Sequence, residues 1–397
     1  MANNAGGEKS LVYGKTARYV RRLKAVLSDS KEYNLAPLSF SELQLKMQQR
    51  DFEGELYRTL FDLIGKNQYL IETQRPVVSK NSSGYAVWDV WNEKKFDITK
   101  LMTGSQGTLG VITEIELGLV RPQDYSGMLV MFLGMKDMAR LPDLVARLRT
   151  LGAETIEAYD KHTFKLATRY FYDFVKIMRT NIVTLGFQFM PEMLSVLTGG
   201  IPDMVILAEF SGSEPQEVRE RIRAAYEQVR SDYPRCRTVI SGDDVMKYRT
   251  IRRQSFQLLR SRLQGRTAAA FIDDLVVPVD ALPEFLPQLQ RLLDGYGFPY
   301  TIAGHVGDGN FHVIPLLNEA QLNDATLIKR AMDEVYDLIF RYRGSMTAEH
   351  NDGILRAPYL EKMFGRDMTR LFVDIKRAFD PKNIFNPGKK IDLDAFR

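Results

Sequence analysis

The chain has 397 residues, of which 45% are hydrophobic and 26% are charged, a composition typical of folded globular proteins with two or three domains. Its formal net charge of +4 gives no argument for nucleic-acid binding, and it contains no apolar run of roughly 18 residues that could span a membrane. The only cysteine, Cys236, excludes an internal disulfide framework or a cluster held by cysteines of this chain. The start MANNAGGEKS has no apolar signal-peptide core, so we expect a cytoplasmic protein.

The first 120 residues are predicted to be rich in loops. Three stretches of Gly, Asn and Ser could bring the backbone close to a ligand: NNAGG at 3–7, SKNSSGY at 79–85 and TGSQGTLG at 103–110. RPQDYSG at 121–127 is then predicted to be a linker.

After residue 127, apolar runs and helical spacing alternate, which predicts an α+β layer with helices on one face of a sheet. The predicted strands are 127–135, AETIEAYD, 204–212, CRTVISG, FIDDLVVPV and YTIAGHVG, and the predicted helices are 137–152, 214–233 and LPEFLPQLQRLLDGYG. HTFKLATRYFYDFVKIMRTN is predicted to be an aromatic-rich helical insertion. The last part is predicted to hold helices at 324–343 and 358–379, a turn at 344–353 and the segment DPKNIFNPGKK at 380–390.

Three of the four histidines lie in turn-forming motifs. In GHVGDGNFH, the side chains of His305 and His312 can converge only if the residues between them turn or bulge the backbone. Glu349 and His350 lie in AEHNDG, whereas His162 is interpreted as structural. Two histidines and one carboxylate would suit a catalytic divalent metal, although hydrogen-bonded structural histidines are an equally open alternative. If His305, His312 and Glu349 held a metal, a neutral His350 could remove a proton from a metal-bound hydroxyl.

TGSQGTLG is the second motif that could bind a ligand. Its glycines at 104, 107 and 110 alternate with Ser105 and Thr108, so it could present backbone N–H groups and hydroxyls. It has neither the GK[ST] of a Walker loop nor the spacing of a dinucleotide-binding fingerprint. An ordinary tight turn is the alternative interpretation.

Five motifs in a fixed order resemble the FAD-linked oxidase family: NNAGGEKSLVYGKTARYV, GSQGTLGVITEIEL, GHVGDGNFH, AEHNDG and FDPKNIFNPGK. This family comprises flavin dehydrogenases of D-lactate, glycolate and D-2-hydroxyglutarate in the vanillyl-alcohol-oxidase fold group. The resemblance implies the C-terminal part of a PCMH-type FAD-binding domain at 1–122. It also implies a substrate (cap) domain with an antiparallel sheet flanked by helices at 123–343, and a C-terminal segment returning to the flavin site at 344–397.

The resemblance also implies roles for individual residues. Those that match flavin contacts are Asn4, Gly104, Ser105, Gly107, Thr108, Gly110 and Asn386. His305, His312 and Glu349 match ligands of a divalent metal, zinc or manganese, in the metal-dependent members. In the implied reaction His350 takes the C2-hydroxyl proton of a D-2-hydroxy acid, and the C2 hydride passes to flavin N5.

Arg252 matches an arginine that holds the substrate carboxylate, with Arg253 as an alternative. The electron acceptor implied by the family is left open between an iron–sulfur partner, a quinone and a cytochrome, and peripheral membrane contact is also left open.

The chain departs from the family pattern at four places. It begins within the NNAGG motif, so we expect the front subdomain of the flavin domain to be missing and the flavin cleft to be open. Gln106 replaces the more usual glutamate, and Asn351 replaces a common glycine, as in a branch linked to iron–sulfur partners. Ile272 replaces the lysine that hydroxyglutarate-type enzymes use for a distal carboxylate, which favours a D-lactate-like monocarboxylate.

Three functions are compatible with these motifs. The ordered set favours an FAD-dependent D-2-hydroxyacid dehydrogenase, or the C-terminal two-thirds of one. A metal-dependent hydrolase that uses His305, His312 and Glu349 without flavin is the first alternative. A non-catalytic subunit is the second alternative, and an exposed apolar patch at the open flavin face would favour it.

Overall fold

The computed structural model describes residues 1–92, 94–169, 197, 199–240, 242, 244–250 and 265–391. The chain divides into two compact units. The first unit comprises Met1–Gly7, Gly14–Val120 and Ser345–Arg397, and the second comprises Glu8–Tyr13 and Arg121–Gly344. In the part of the chain that the structure describes, none of the helices combines the length and apolar character needed to cross a bilayer. The three-part domain division at 1–122, 123–343 and 344–397 stays a prediction.

The first 120 residues contain more regular structure than expected. Their helices are α1 (Ser10–Tyr13), α2 (Phe40–Gln48), α3 (Phe52–Lys66), α4 (Gln68–Gln74) and α5 (Thr99–Met102), and their strands are β1 (Val20–Val26), β2 (Glu32–Leu35) and β3 (Val111–Leu117). The strands form an antiparallel sheet in the order β2-β1-β3. The prediction of a loop-rich region is therefore wrong for residues 40–74.

Helix α3 shows why this region is helical. Asp51 precedes it, and its side chain accepts a hydrogen bond from the backbone N–H of Gly54 at 3.0 Å, which satisfies one of the free donors of the first turn. Leu56, Leu60 and Ile64 recur every four residues and are all buried, so they form one apolar stripe along the helix. This stripe packs into the core of the first unit.

Residues 121–344 form an α+β layer, as the sequence predicts. Their strands are β4 (Tyr125–Leu133), β5 (Thr155–Asp160), β6 (Met204–Gly212), β7 (Cys236–Val239), β8 (Thr267–Ala268), β9 (Leu275–Val276), β10 (Tyr300–His305) and β11 (Asn310–Leu317). Their helices are α6 (Leu141–Thr150), α7 (Lys161–Arg169), α8 (Pro215–Val229), α9 (Leu282–Asp294), α10 (Glu319–Leu322) and α11 (Ala325–Arg341). The strands form an eight-stranded sheet in the order β7-β4-β6-β5-β10-β11-β8, with β9 paired to β11. Every pairing is antiparallel, which confirms the predicted antiparallel sheet. The predicted linker at 121–127 is shorter than expected, because β4 begins at Tyr125.

Helices cover both faces of this sheet, so the prediction of helices on one face is wrong. On one face, Val130 of β4 and Val205 of β6 belong to an apolar cluster with Phe164 of α7 and Tyr248 of the helical stretch 244–250. Gly127 faces the other side, where a Cβ atom would lie 2.4 Å from Cδ1 of Ile222 in α8. Each strand therefore buries both sets of its alternating side chains, and these strands are apolar almost throughout.

Residues 345–391 contain one helix, α12 (Leu360–Phe379), which is interrupted by non-helical backbone at Gly365. Its Phe372 packs edge-on against Tyr85, with ring centroids 6.1 Å apart. This packing ties the C-terminal stretch to residues 14–120 within the first unit. Most of the predicted aromatic-rich insertion lies outside the described residues.

Candidate functional site

A tight hairpin carries His305 and His312 in the second unit. Strand β10 ends at His305, a single 3-10 turn covers Val306–Asp308, and β11 begins at Asn310. The register pairs His305 with Asn310 and Ala303 with His312, so both histidines lie on the same face. Their ring centroids are 5.4 Å apart and the rings are nearly perpendicular, at 86°. The sequence requirement for a turn between them is thus met.

Gly309 makes this turn possible. Its φ of +69° lies in the left-handed region, and an added Cβ would lie 2.0 Å from the carbonyl oxygen of Val277. No other residue type fits there without moving the backbone of 277. The glycine therefore fixes the spacing between the two histidines.

Two buried carboxylates that the sequence analysis did not name contact these histidines. Nδ1 of His305 lies 2.6 Å from Oε1 of Glu157, and Nδ1 of His312 lies 3.0 Å from Oδ1 of Asp273. Glu157 is 5% exposed and Asp273 is 6% exposed. Strand pairing places Glu157, because β5 and β10 align Ala158 with Gly304. The acidic residues of IEAYD and FIDD are visible in the sequence, but their contacts with the histidines depend on the pairing of strands that are distant in the chain.

Glu349 and His350 belong to the first unit. Glu349 is 7% exposed, whereas its neighbour His350 is exposed, so the two side chains differ in environment as the sequence analysis expected of adjacent residues. Asn351 follows with a φ of +73°, and its side-chain amide donates to the carbonyl oxygen of Gly104 at 2.8 Å. Asparagine is among the few residues other than glycine that tolerate this positive φ.

His162 is held by contacts within the second unit. Its Nδ1 lies 2.9 Å from Oδ2 of Asp160, and its ring packs 5.1 Å from the ring of Tyr300. These contacts agree with its interpretation as a structural histidine.

The 104–110 loop is built from close contacts within the first unit. Its backbone donates from Gly104 N to Met1 O at 3.0 Å and from Gln106 N to Ala2 O at 2.9 Å, which joins it to the NNAGG segment. Thr108 is fully buried, and its hydroxyl hydrogen-bonds Ser105 O and the Tyr85 hydroxyl, both at 2.7 Å. This hydroxyl therefore stabilises the loop itself, and the predicted contact of Thr108 with the flavin stays a prediction.

Gln106 connects the loop to two other motifs. Its Oε1 accepts from Gly353 N at 2.9 Å, and its backbone carbonyl accepts from the side-chain amide of Asn386 at 2.7 Å. An acceptor is all that these bonds require at Oε1, so the amide serves in place of the more usual glutamate. The motifs around 106, 353 and 386 therefore meet in the first unit.

A buried ion pair fixes the turn that carries Asn386. Nζ of Lys376 donates to Asp380 Oδ2 at 2.5 Å, to Thr108 O at 2.7 Å and to Phe385 O at 2.8 Å. Asp380 in turn accepts from the backbone N–H groups of Ile384 and Phe385 at 3.0 and 2.7 Å. The pair thus joins the end of α12, the NIFNPGK turn and the 104–110 loop.

A second buried lysine joins the 351–352 turn to the tail. Nζ of Lys390 donates to Asn351 Oδ1 at 2.7 Å, to Asp352 Oδ2 at 3.1 Å and to Ser82 O at 3.1 Å. Burial lowers the pKa of Lys390 below its ordinary value, although the neighbouring Asp352 opposes this change. The segment SKNSSGY is therefore part of the same polar network.

Two features of the 104–110 loop fit a bound cofactor. The Ser105 hydroxyl is buried and has no hydrogen-bond partner among the described residues, so it can bond to a ligand atom without breaking a contact. Gly107 has a φ of +72°, and open space surrounds the position of its missing Cβ. Asn4 is buried with its Oδ1 accepting from Ala17 N at 2.8 Å, and its φ is +50°.

Two residues bear on the predicted substrate. Arg252 and its alternative Arg253 lie outside the described residues. Ile272, the basis of the predicted preference for a monocarboxylate, is 0% exposed in the second unit.

The fold places the chain in a known class. It aligns with p-cresol methylhydroxylase with substrate bound, at a TM-score of 0.61 and 15% identity over 99% of this chain and 68% of that one. It also aligns with an alkyldihydroxyacetonephosphate synthase, at a TM-score of 0.56 and 13% identity over 98% of this chain and 56% of that one. At these identities the likeness concerns the fold alone, and it confirms the vanillyl-alcohol-oxidase fold group.

Residues 129–390 match the family of FAD linked oxidases, C-terminal domain, and the chain belongs to this family. The D-2-hydroxyglutarate dehydrogenase of Pseudomonas putida is 30% identical over 97% of this chain, and that of Escherichia coli is 28% identical over 97%. This chain spans only 37% of the length of those two proteins. Glycolate oxidase subunit GlcD of Bacillus subtilis is 25% identical over 99% of this chain, which covers 67% of it.

Proposed function

We propose that this chain is part of an FAD-dependent dehydrogenase that oxidises a D-2-hydroxy acid to the 2-oxo acid. The observation that carries the proposal is the pair of histidines, the buried His305 and the largely buried His312, held on one hairpin within the region that matches the family. The names of the relatives support the substrate class, because they include D-2-hydroxyglutarate dehydrogenases and a D-lactate dehydrogenase.

His305, His312 and Glu349 are proposed to hold a divalent metal, zinc or manganese. Two imidazoles and a carboxylate are a donor set that such a metal accepts with coordination positions left open. His305 and His312 lie within one hairpin of the second unit, whereas Glu349 is a buried residue of the first unit. Its assignment as the third ligand rests on the sequence motif.

Individual residues of this chain would then have separate roles in the reaction. Bound FAD supplies a hydride acceptor at N5, and a bound metal lowers the pKa of the substrate hydroxyl. The exposed His350 is proposed to take the C2-hydroxyl proton, and Arg252, or Arg253, to bind the substrate carboxylate. Ser105, Gly107 and the other matched residues of the 104–110 loop are proposed to contact the flavin.

The substrate is proposed to be a monocarboxylate similar to D-lactate. Ile272 has no charge with which to bind a distal carboxylate, and its side chain is fully buried. The electron acceptor is proposed to be an iron–sulfur partner, a quinone or a cytochrome.

The test is the visible spectrum of the purified chain with and without FAD, followed by anaerobic addition of D-lactate or D-2-hydroxyglutarate. We expect a flavin spectrum that is bleached faster by D-lactate. His350→Ala should slow bleaching by about 10²- to 10⁴-fold, which is the usual contribution of a general base. His162→Ala is the matched control and should bleach at the wild-type rate. A protein extended by the region that its relatives have in addition, and that still binds no FAD, would contradict the proposal.

One observation favours a role as an incomplete subunit that requires another polypeptide. Within the described residues β3 forms an edge of its sheet, and it and the residues after it expose five apolar side chains. These are Val111, Ile115, Leu117, Leu119 and Val120. An uncovered apolar edge strand is a place for another strand to add. Size-exclusion chromatography of the pure chain tests this: a stable, active monomer would count against it.

A further inference from the structure

We infer that Glu157 and Asp273 are positioning residues that hold His305 and His312 in one tautomer, with the proton on Nδ1 and the lone pair on Nε2. The metal assignment rests on the proposed function, but the tautomer can be observed without any metal. These two carboxylates belong to none of the five sequence motifs.

The chemistry of the two partners gives each hydrogen bond its direction. Nδ1 of His305 lies 2.6 Å from a carboxylate oxygen of Glu157, and Nδ1 of His312 lies 3.0 Å from one of Asp273. An ionised carboxylate can only accept, so each Nδ1 must carry the proton. In a neutral imidazole the second nitrogen, Nε2, then holds the lone pair that can bind a cation.

The fold keeps both carboxylates in place. Glu157 lies on β5, an inner strand that pairs with β6 on one side and β10 on the other. Asp273 lies just before β9, which pairs with the start of β11 through Asn310 and Phe311. The side-chain amide of Asn310 also donates to Asp274 at 3.1 Å and to Leu275 O at 2.9 Å. Strand pairing therefore fixes the backbone that carries each carboxylate beside its histidine.

The two pairs act on both rings of one hairpin. The ring centroids are 5.4 Å apart and the ring planes lie at 86° to each other, so the rings do not stack and each is oriented by its own carboxylate. Outer carboxylates that fix the ring orientation and tautomer of a ligand also make it a stronger base, and losing one typically weakens metal binding about 10- to 100-fold. Glu157 and Asp273 would therefore strengthen metal binding without touching the metal.

The first measurement is a two-bond ¹H–¹⁵N spectrum of the metal-free chain labelled with ¹⁵N-histidine, which contains only four histidines. We expect His305 and His312 to be protonated on Nδ1. Glu157→Gln should change only the signals of His305, and Asp273→Asn only those of His312, since both substitutions keep the side-chain volume. Wild-type protein with the proton on Nε2 of either residue would overturn the inference without any variant.

The second measurement is calorimetric titration of the same proteins with Mn²⁺ and with Zn²⁺. We expect each variant to bind about 10- to 100-fold more weakly than wild type. Asp160→Asn is the matched control, because Asp160 contacts Nδ1 of His162 at 2.9 Å in the same way, and it should leave the affinity unchanged. Equal affinities for wild type and both variants would overturn the inference while the metal site stands. A wild type that binds neither ion would overturn the metal site, and the spectra alone would then decide the tautomer.

Discussion

Replacing Asp380 with asparagine should destabilise the first unit strongly. Lys376 and Asp380 are both buried, with side-chain exposures of 1% and 0%. The substitution keeps the side-chain volume but leaves the Lys376 ammonium without its counter-ion. Breaking a buried pair in this way costs about 3–5 kcal/mol. We expect about 3 kcal/mol, because the asparagine oxygen still accepts one of the two backbone bonds from Ile384 and Phe385.

Urea unfolding followed by tryptophan fluorescence measures this cost in the relevant unit. The chain has two tryptophans, Trp88 and Trp91, and both lie in the first unit. With a slope of about 2–3 kcal/mol per molar urea, a loss of 3 kcal/mol lowers the midpoint by about 1–1.5 M. A near-ultraviolet spectrum should also change around Tyr85, because Lys376 donates to the carbonyl of Thr108 and Thr108 bonds Tyr85.

An exposed pair of the same residue types is the control. Lys66 and Asp62 also lie four residues apart in a helix, at 3.0 Å, but their side chains are 74% and 64% exposed. Asp62→Asn should cost less than about 0.5 kcal/mol. The double variant Lys376→Met with Asp380→Leu should recover part of the lost stability, because no unpaired charge remains. If Asp380→Asn costs no more than Asp62→Asn, the argument from the buried charge is refuted.

Further substitutions and conditions test other parts of the structure. Gly309→Ala should destabilise the second unit by more than about 2 kcal/mol, seen as a lower thermal midpoint, because an added Cβ would collide with the Val277 carbonyl; an unchanged midpoint would contradict the hairpin geometry. Asn351→Gly should lower the urea midpoint although it suits the φ of +73°, because Lys390 loses an acceptor; a higher midpoint would show that the backbone term dominates. Partial burial raises the pKa of the half-buried Cys236 thiol to about 11, so at pH 8 it should react with a disulfide reagent more slowly than in the urea-unfolded chain, by up to about 100-fold, and equal rates would contradict its shielding. Because folding lowers the pKa of Lys390, the unfolded chain binds the extra proton, and this residue's contribution to stability grows as pH rises toward 10.5. The difference in stability between wild type and Lys390→Met should therefore be larger at pH 9.5 than at pH 7, and an equal difference in thermal midpoint at both pH values would refute this.

The sequence predicted elements well where apolar runs are long. MVILAEFSG is a strand with the predicted bounds, and helix α8 lies within the predicted range 214–233. Helices α2 and α3 were missed, although Leu56, Leu60 and Ile64 carry the helical period, because glycine-rich motifs dominated the interpretation of that region. The covering of both sheet faces was missed, although a strand that is apolar on both sides, such as MVILAEFSG, indicates burial on both faces.

The candidate site was predictable only where its residues share a motif. The spacing of His305 and His312 correctly required a turn between them, because alternation along a strand is a local property. Glu157 is 148 residues from His305 in the chain, so its contact depends on which strands pair. The hydrogen bonds of the Thr108 hydroxyl with Tyr85 and Ser105 were not predicted, since nothing local in the sequence reveals them.

The discontinuity of the first unit has a consequence for biosynthesis. Its stretches Met1–Gly7, Gly14–Val120 and Ser345–Arg397 are separated by the second unit. When residue 120 leaves the ribosome, the lysines and asparagines of the last stretch have not yet been made, so the polar groups of Ser82 and Gly104 still face water. The second unit is completed while they wait, and its folding brings the two ends of a long loop together, which lowers the entropic cost of closing the first unit. We therefore expect a nascent chain stopped before residue 345 to hold a folded sheet and an incomplete first unit, the state in which chaperones would meet it.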